Sequence, residues 1–514
     1  MYFPCREEFK AKARLGNLIP VYREVLADTE TAVSAFLKIG GGDYGFLLES
    51  VQGGEKWARY SFLGRNPALV IRTKGREAEL LRPGLPPEHR RVTDPLDLIR
   101  EALSVYRPAK VEGLPRFFGG MVGYLAYDGV RFFETLPDQA EDDLGLPDAV
   151  FLLTDTLLIF DSLSQRIQVV SNAFVPDTTA SSIEAAYDLA LSKIEALVAD
   201  LRKPLDRPVI APLPSLSPEV TSTFSREGFC QAVLTCKDYV AAGDIIQAVL
   251  SQRLEVRTGA QPFDVYRALR IINPSPYMFF LRLGDLSLAG SSPEVLVRLE
   301  EGQIELRPIA GTRPRGRDEL EDRALATELL EDPKERAEHI MLVDLGRNDI
   351  GRVASPGSVE VNELMVIERY SHVMHIVSNV RGRLQEGQDS FDLLRATFPA
   401  GTVSGAPKIR AMEIIEELEP VKRGPYAGAI GYVSFSGNMD TCIAIRTILF
   451  AKERAWIQVG AGIVADSDPE REYQETLSKA AAMLRAIELA EGGLDSSRVN
   501  CDPTTDKGIK TVIG

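Results

Sequence analysis

Short apolar runs bounded by turn residues recur along most of the chain, and helices separate them at irregular intervals. Runs of this kind are typical of β-strands. A strict alternation of strands and helices would predict a parallel sheet, whereas this irregular order favours antiparallel or mixed sheets with helices outside, an α+β arrangement. The predicted strands are Tyr44–Ser50, Tyr60–Leu63, Ala68–Arg72, Gly120–Ala126, Val150–Thr154, Met278–Leu281, Val295–Val297, Ile304–Leu306, Ala429–Phe435 and Trp456–Val459.

A proline-rich stretch divides the chain of 514 residues into two parts. Five prolines lie between Leu201 and Phe224, a pattern typical of a linker. The length allows two large domains. The sequence therefore predicts an N-terminal domain at 1–200, the linker at 201–224, a second domain at 225–490 and a polar tail at 491–514.

Composition excludes several classes of function. No apolar run reaches the roughly 18 residues of a membrane span, and the N-terminus lacks the layout of a signal peptide, so we expect a cytoplasmic protein without membrane contact. A net charge of −15 argues against nucleic-acid binding. The five cysteines are scattered, which excludes a disulfide framework or a thiolate zinc site. An anionic substrate would need a locally positive or metal-bridged site.

The stretch from Glu331 to Asp349 predicts a helix with acids on one face. Asp332 is a favourable N-cap, and Pro333 fits the first helical position. Gly346 is suited to the end of the helix. The residues expected to face the core are Ala337, Ile340, Met341 and Val343.

Glu335 and Glu338 lie three residues apart on the opposite side of this predicted helix. Two carboxylates near a helix start can hold Mg²⁺, which also takes water and ligand oxygens. The alternative is structural: Glu335 would close a capping box with Asp332, and Glu338 would pair with Lys334. This stretch by itself leaves both interpretations open.

A second acidic helix is predicted after a strand and a turn of small residues. Asp468 and Pro469 repeat the cap and first-position pattern, and Glu475 and Lys479 lie one turn apart. The turn at 460–462 can offer backbone N–H groups to a carboxylate. The alternative for the Glu475 and Lys479 pair is a surface salt bridge.

Three further segments carry candidate chemistry. His372 and His375 fall on different faces of a strand, so they need not form a metal pair. The segment 398–410 joins hydroxyls and glycines to a helix start, and 307–317 is an arginine-rich glycine turn; both offer amides to an anion but also suit ordinary connections. Walker, GxGxxG and GxSxG motifs are missing, which argues against nucleotide binding and acyl-hydrolase chemistry.

Several of these motifs occur together, in one order, between residues 225 and 490. They are Pro308–Thr312, Glu335–Asp349, Ser371–His375, Phe398–Lys408, Cys442–Arg446, Gly460–Gly462 and Glu475. In this order they resemble the chorismate-utilising enzyme family, and within it the anthranilate synthase branch. The resemblance implies two domains whose mostly antiparallel sheets pack as a sandwich, with helices outside.

The resemblance also implies a reaction. Chorismate would be aminated at C2 with ammonia, lose its C4 hydroxyl and then eliminate pyruvate to leave anthranilate, the first committed step of tryptophan biosynthesis. Glu338 and Glu475 would hold Mg²⁺, which would bridge to the ring carboxylate. Glu335 would be the general acid at the C4 hydroxyl, a role that requires a raised pKa, and His375 would assist the proton transfer. The implied substrate contacts are Gly311, Thr312, Thr402, Tyr426, Arg446, Gly460, Ala461, Gly462 and Lys479.

Two positions separate the anthranilate branch from related enzymes. Isochorismate and salicylate synthases carry a lysine base where this chain has Gln247, and aminodeoxychorismate synthases typically carry a lysine where it has Ala310. Ammonia is already a nucleophile and needs neither lysine. The alternatives are an aminodeoxychorismate synthase component I and a non-catalytic tryptophan-binding subunit. The intact acids and Arg446 argue against the latter.

Two segments resemble the family's tryptophan feedback site. They are Leu47–Ser50 and Asn273–Phe279, and the implied inhibitor contacts are Ser50, Pro276, Tyr277 and Met278. The alternative is a strand end packed on a proline-rich loop. Because the chain has no glutaminase-like cysteine motif, we expect ammonia to come from a glutamine amidotransferase small subunit, component II of the family, in a heterotetramer.

Overall fold

The computed structural model describes residues 1–50, 59–205, 220–370 and 373–494. Most of the predicted linker at 201–224 and of the predicted tail at 491–514 lies outside these residues, as does His372. Within the described ranges, no helix combines the length and apolar character needed to cross a lipid bilayer.

Helices account for much of the described chain and begin at favourable caps. Asp94, Asp318 and Asp468, for example, accept hydrogen bonds from N–H groups of the first turns that they precede. The α-helices are α1 (Arg6–Lys12), α2 (Ala32–Ile39), α3 (Pro95–Ser104), α4 (Ala180–Leu201), α5 (Arg226–Ala242), α6 (Pro262–Ile272), α7 (Glu319–Glu331), α8 (Pro333–Gly351), α9 (Ser390–Thr397), α10 (Lys408–Leu418) and α11 (Pro469–Glu491). Short 3₁₀ helices cover Tyr127–Phe132 and Gly401–Val403.

The strands include every run predicted from the sequence. They are β1 (Leu18–Leu26), β2 (Tyr44–Glu49), β3 (Tyr60–Arg65), β4 (Leu69–Lys74), β5 (Glu77–Leu81), β6 (Glu88–Arg91), β7 (Gly120–Leu125), β8 (Ala149–Thr154), β9 (Thr156–Asp161), β10 (Arg166–Phe174), β11 (Val220–Ser222), β12 (Gln247–Arg257), β13 (Tyr277–Leu283), β14 (Leu286–Ser292), β15 (Val295–Glu300), β16 (Gln303–Leu306), β17 (Ile309–Pro314), β18 (Glu360–Arg369), β19 (Val373–Arg383), β20 (Gly405–Ala406), β21 (Ala429–Ser434), β22 (Met439–Ile443), β23 (Thr447–Ala451) and β24 (Arg454–Ile463).

Within the described residues these strands form two sheets of twelve strands each. Sheet I has the order β1-β10-β9-β3-β2-β13-β14-β23-β24-β12-β11, and β20 pairs with β12. Sheet II has the order β17-β19-β16-β15-β22-β21-β7-β8-β4-β5-β6, and β18 pairs with β19. The ladders between these strands are antiparallel. The predicted α+β fold with mostly antiparallel sheets is confirmed.

The two sheets pack face to face, and helices cover their outer faces. Phe279 on β13 belongs to the core between the sheets, which also contains Val122 and Tyr124 of sheet II. Its neighbour Phe280 points to the other face of sheet I, as the alternation of a strand requires, and belongs to the core that this face forms with α2, α4, α6 and α11. Helices α3, α8 and α9 cover sheet II. This arrangement confirms the predicted sandwich.

Both sheets run across the predicted division of the chain. In sheet I, Leu47 of β2 pairs with Phe280 of β13, and in sheet II, Gly123 of β7 pairs with Gly431 of β21. The parts 1–200 and 225–490 therefore share both sheets. The division into domains at those boundaries stays a prediction.

Helix α8 begins where predicted but differs from the prediction in two respects. Asp332 caps it, and Gly346 lies inside it, since the helix continues to Gly351. The predicted core face was wrong except for Val343, and Ile340 is 43% exposed. The helix instead buries His339, Leu342, Val343, Gly346, Asp349 and Ile350. Histidine and glycine contribute to this stripe, so apolar periodicity alone could not find it.

Candidate active site

The first turns of α8 direct two carboxylates away from the core of sheet II. Glu335 pairs with Arg313 Nη1 at 3.3 Å, and Glu338 accepts a hydrogen bond from Gln247 Nε2 at 3.0 Å. Asp332 caps the helix through the N–H groups of Lys334 and Glu335. Both side chains thus contact distant elements, β17 and β12, and the purely local interpretation of the two glutamates was wrong.

Three carboxylates repel one another at this place. Burial raises the pKa of the Glu338 carboxyl, and the neighbouring Glu335 and Glu475 raise it further. Such a cluster favours a bound cation. Among the described residues, no three His, Cys, Asp or Glu side chains form a metal-binding group. Two carboxylates completed by water and ligand oxygens suit Mg²⁺, so the residues present fit that ion.

The end of β24 and helix α11 form the opposite wall. Glu475 pairs with Lys479 at 2.7 Å, and Lys479 Nζ donates to the carbonyl of Gly460 at 2.8 Å. Burial lowers the pKa of Lys479. A Cβ at Gly460 would lie 2.8 Å from the Tyr426 hydroxyl, and one at Gly462 would overlap Gln247 Nε2. The glycines are therefore required by close approach, which the sequence motif did not show.

His375 lies on β19 beside the turn that carries two predicted substrate contacts. Its Nδ1 is 3.1 Å from the carbonyl oxygen of Gly311 and 3.0 Å from Thr312 Oγ1. Because a carbonyl oxygen only accepts, Nδ1 carries the proton, and burial lowers the pKa of the ring. A neutral ring then has Nε2 as its acceptor. A Cβ at Gly311 would lie 3.1 Å from Glu335 Oε2, so Glu335 belongs to the same wall.

Glu294 is a site residue that the sequence reasoning missed. It lies between β14 and β15 with 9% of its surface exposed. Burial raises the pKa of its carboxyl to about 7, although the Thr402 hydroxyl and the Arg446 guanidinium act in the opposite direction. The sequence feature that could have indicated Glu294 is a single acid directly before the apolar run that begins at Val295.

Arg446 links the parts of this site. It follows β22 in a left-handed conformation, with φ +50°, and burial lowers the pKa of its guanidinium. The groups that favour its charged form are Tyr426, Glu294 and Glu475. Arg446 therefore lies near α11, which carries Glu475. It also lies near Glu294 and Tyr426, which are next to Thr402 and Gly460 respectively.

A second cavity lies between the sheets. Its lining includes the four residues that the resemblance assigned to an inhibitor site, Ser50, Pro276, Tyr277 and Met278. Asp440 is also part of its lining. The segments 47–50 and 273–279 therefore meet as predicted.

A buried charge network forms one wall of the second cavity. Asp440 accepts hydrogen bonds from the Tyr277 hydroxyl at 2.9 Å, from Arg298 Nε at 3.1 Å and from Arg116 Nη2 at 2.8 Å. Burial by itself would raise the pKa of Asp440, but Arg298 and Arg116 lower it. Because Asp440 lies on β22, the network is continuous with the strand that leads to Arg446.

Known proteins match almost the whole chain. The sequence profile of the chorismate binding enzyme family matches residues 46–485. The anthranilate synthase component 1 of Acetivibrio thermocellus is 51% identical over 495 residues, covering 95% of this chain and 99% of that protein. The component 1 of Aquifex aeolicus is 51% identical over 488 residues, covering 94% and 98% respectively.

A solved structure of another anthranilate synthase component I has a similar fold. The crystal structure of anthranilate synthase component I from Streptococcus pneumoniae TIGR4 superposes with a TM-score of 0.73 at 38% sequence identity. The match covers 89% of this chain and 98% of that one. Together with the profile and the full-length relatives, these matches show that the chain belongs to the family of chorismate binding enzymes, in which anthranilate synthase component 1 proteins are its relatives.

Proposed function

We propose that this chain is the large subunit of an anthranilate synthase, which converts chorismate and ammonia into anthranilate and pyruvate. The observation that carries the proposal is the single site in which Arg446, Glu294, His375 and the acids of α8 and α11 meet. Chorismate is a dianion, and the site offers both a cation-binding pair of carboxylates and a buried guanidinium. The names of the relatives point to the same reaction.

Substrate orientation follows from the charges. Arg446 is the bidentate partner for the enolpyruvyl carboxylate, since a guanidinium matches a carboxylate in geometry. The amides of 460–462, together with Lys479, face the ring carboxylate. Gly311, Thr312, Thr402 and Tyr426 complete the proposed contacts.

Proton transfer at C4 requires an acid that is protonated near neutral pH. Glu294 meets this condition, because its pKa is raised to about 7. His375, neutral and protonated on Nδ1, accepts a hydrogen bond from the C4 hydroxyl at Nε2 and orients its oxygen toward the acid, so that the hydroxyl leaves as water. Glu335 was predicted as the general acid. Because Glu335 forms an ion pair with Arg313, we propose that it instead stabilises the side of the site near Gly311. We therefore propose Glu294 as the proton donor.

Glu338 and Glu475 are the proposed Mg²⁺ ligands. When bound, the ion supplies positive charge to the ring carboxylate and relieves the repulsion among the acids. We propose Mg²⁺ dependence on this basis.

Ammonia is the proposed nucleophile. Gln247 donates to Glu338, and its Oε1 is buried without a hydrogen-bond partner in the described part of the chain. An amide cannot deprotonate water, and Ala310 cannot form a covalent amine adduct. A glutamine amidotransferase small subunit, component II, would supply the ammonia in a cytoplasmic heterotetramer.

Tryptophan is the proposed ligand of the cavity between the sheets. The hairpin β21–β22 connects that cavity to the active site: Ile430 and Cys442 pair within it and line the cavity. Tyr426 precedes the hairpin and Arg446 follows it. A ligand that shifts the hairpin would displace both contacts, which gives feedback inhibition a structural basis.

The first test measures anthranilate fluorescence with chorismate, ammonium and Mg²⁺. We expect product formation that EDTA abolishes and tryptophan suppresses. Glutamine should replace ammonium only when a component II is added. Accumulation of a non-aromatic amino intermediate, or of isochorismate, would contradict the proposal and assign the chain to another branch of the family. Activity that survives EDTA would contradict the Mg²⁺ assignment alone.

A further inference from the structure

A buried ion pair lies behind the active site and has no role in the mechanism above. Arg423 is 3% exposed and Glu419 is 5% exposed. The guanidinium donates to the carboxylate through Nε at 2.8 Å and through Nη2 at 2.6 Å. Because removal of either partner would leave a buried charge unpaired, the pair is a fixed element of the fold.

The same guanidinium binds two backbone segments that carry site residues. Nη1 donates to the carbonyl of Val403 at 2.7 Å, and Nη2 donates to the carbonyl of Val249 at 2.6 Å. Val403 follows Thr402 in its 3₁₀ turn, and Val249 pairs with Gly462 across the β12–β24 ladder. Arg423 therefore fixes the Thr402 turn relative to the glycine strand.

Glu419 extends this connection along β12. Its Oε1 accepts from the Ser251 N–H at 2.7 Å and from the Ser251 hydroxyl at 2.9 Å. Ser251 pairs with Gly460, so the carboxylate is connected to the other end of the 460–462 segment. Both ends of that segment are thus fixed through one ion pair.

Tyr426 completes the arrangement. The Arg423 guanidinium lies 5.7 Å from the centre of the Tyr426 ring and 4.6 Å from that of Tyr127. The Tyr426 hydroxyl faces Gly460. Contact with the ring faces of both tyrosines is favourable for a guanidinium and restricts the rings.

We propose that the Arg423–Glu419 pair is the positioning unit of the chorismate site, which sets Thr402, Tyr426 and the 460–462 strand at fixed distances from one another. The inference rests on the proposed function, since those residues are its substrate contacts. Arginine is required because one planar group must make all of these contacts at once, which the ammonium of lysine cannot do. Loss of the pair should therefore weaken substrate binding more than turnover.

Glu416, in the last turn of α10, which directly precedes Glu419, provides a matched control. It is 7% exposed, and it accepts hydrogen bonds from the N–H groups of Gln139 and Ala140 at 2.7 and 2.9 Å and from Arg131. In the described part of the chain, no hydrogen bond or ion pair joins those partners to a proposed substrate-binding residue. Glu416→Gln therefore weakens a comparable buried network of charge and hydrogen bonds away from the site.

The experiment compares Glu419→Gln, Arg423→Lys and Glu416→Gln in the full chain with ammonium and Mg²⁺. We expect Glu419→Gln and Arg423→Lys to raise the KM for chorismate by about tenfold or more, with kcat changed less than about threefold. Glu416→Gln should lower the thermal midpoint but leave the KM within about twofold. Arg423→Lys keeps the charge and tests the inference even where Glu419→Gln does not fold.

Unchanged KM values in Glu419→Gln and Arg423→Lys, with only kcat reduced, would overturn the inference, because a smaller folded fraction lowers kcat alone. Calorimetric titration with chorismate separates this result from a failure of the proposed function. If the unsubstituted chain binds chorismate but makes no anthranilate, the proposed function fails. If it binds chorismate and the two variants bind it equally well, the positioning role fails.

Discussion

Replacing Glu294 with glutamine is expected to lower turnover by about 10²- to 10⁴-fold, the usual loss when a general acid is removed. Glutamine has nearly the same shape as the protonated carboxyl, so chorismate should still bind. The measurement is steady-state anthranilate formation beside a direct chorismate titration. Turnover within about threefold of the unsubstituted chain would exclude Glu294 as the proton donor.

The same substitution should stabilise the folded chain at pH 8. The pKa of Glu294 is raised from 4.5 to about 7 by burial, so the folded state loses stability as pH rises through that interval. Glutamine does not ionise, and the variant should gain up to about 3 kcal/mol at pH 8 and almost nothing below pH 4.5. Urea unfolding at both pH values measures the difference.

Glu255→Gln is a suitable control for this pH experiment. Glu255 lies on β12 and accepts a hydrogen bond from Trp456 Nε1 at 2.9 Å, and it also pairs with Arg454. Both groups donate to the Glu255 carboxylate, so glutamine loses a donor contact and should give no gain at pH 8. A gain in both variants would attribute the effect to net charge and not to Glu294.

Asp440→Asn should lower the free energy of unfolding and also impair tryptophan inhibition. Asp440 is 5% exposed and neutralises the buried guanidinium of Arg298 and the partly exposed guanidinium of Arg116. Removal of one partner from a buried charge network typically costs about 3 to 5 kcal/mol. Because the Tyr277 hydroxyl also loses its carboxylate acceptor, half-inhibition should require about tenfold more tryptophan.

Urea unfolding and tryptophan inhibition curves on the same preparation test both parts. Asp155→Asn is the control, because the pair of Asp155 with Lys193 is partly exposed and such pairs contribute about 0 to 1 kcal/mol. If Asp440→Asn lost stability but tryptophan still inhibited it normally, the charge network around Asp440 would have only a structural role. An unchanged free energy of unfolding would contradict the conclusion that Asp440 neutralises Arg298 and Arg116.

Local chemistry explains why much of the fold could be predicted from the sequence. Asp332 and Pro333, and likewise Asp468 and Pro469, specify helix starts whatever surrounds them, and both helices begin there. Strand runs such as Ala429–Phe435 are also local, because β-branched and aromatic residues bounded by turns suffice to mark them.

The buried face of α8 shows where local patterns fail. His339 is fully buried with Nε2 2.6 Å from Ser378 Oγ, while Ile340 remains 43% exposed. Which side of a helix is buried depends on the elements that pack against it, and here these are β17, β19 and α9. A pattern of apolar residues contains no information about such partners.

The sequence by itself determined the α+β class, the helix caps and the ordered motifs that resemble the chorismate-utilising family, because each depends on residues close together in the chain. Only the tertiary structure decided that Glu294 shares a site with Arg446, that Glu338 contacts Gln247, and that one ion pair connects the site walls. Those partners are far apart in sequence. Burial raises the pKa of Glu294 only after two sheets and their helices have excluded water from it.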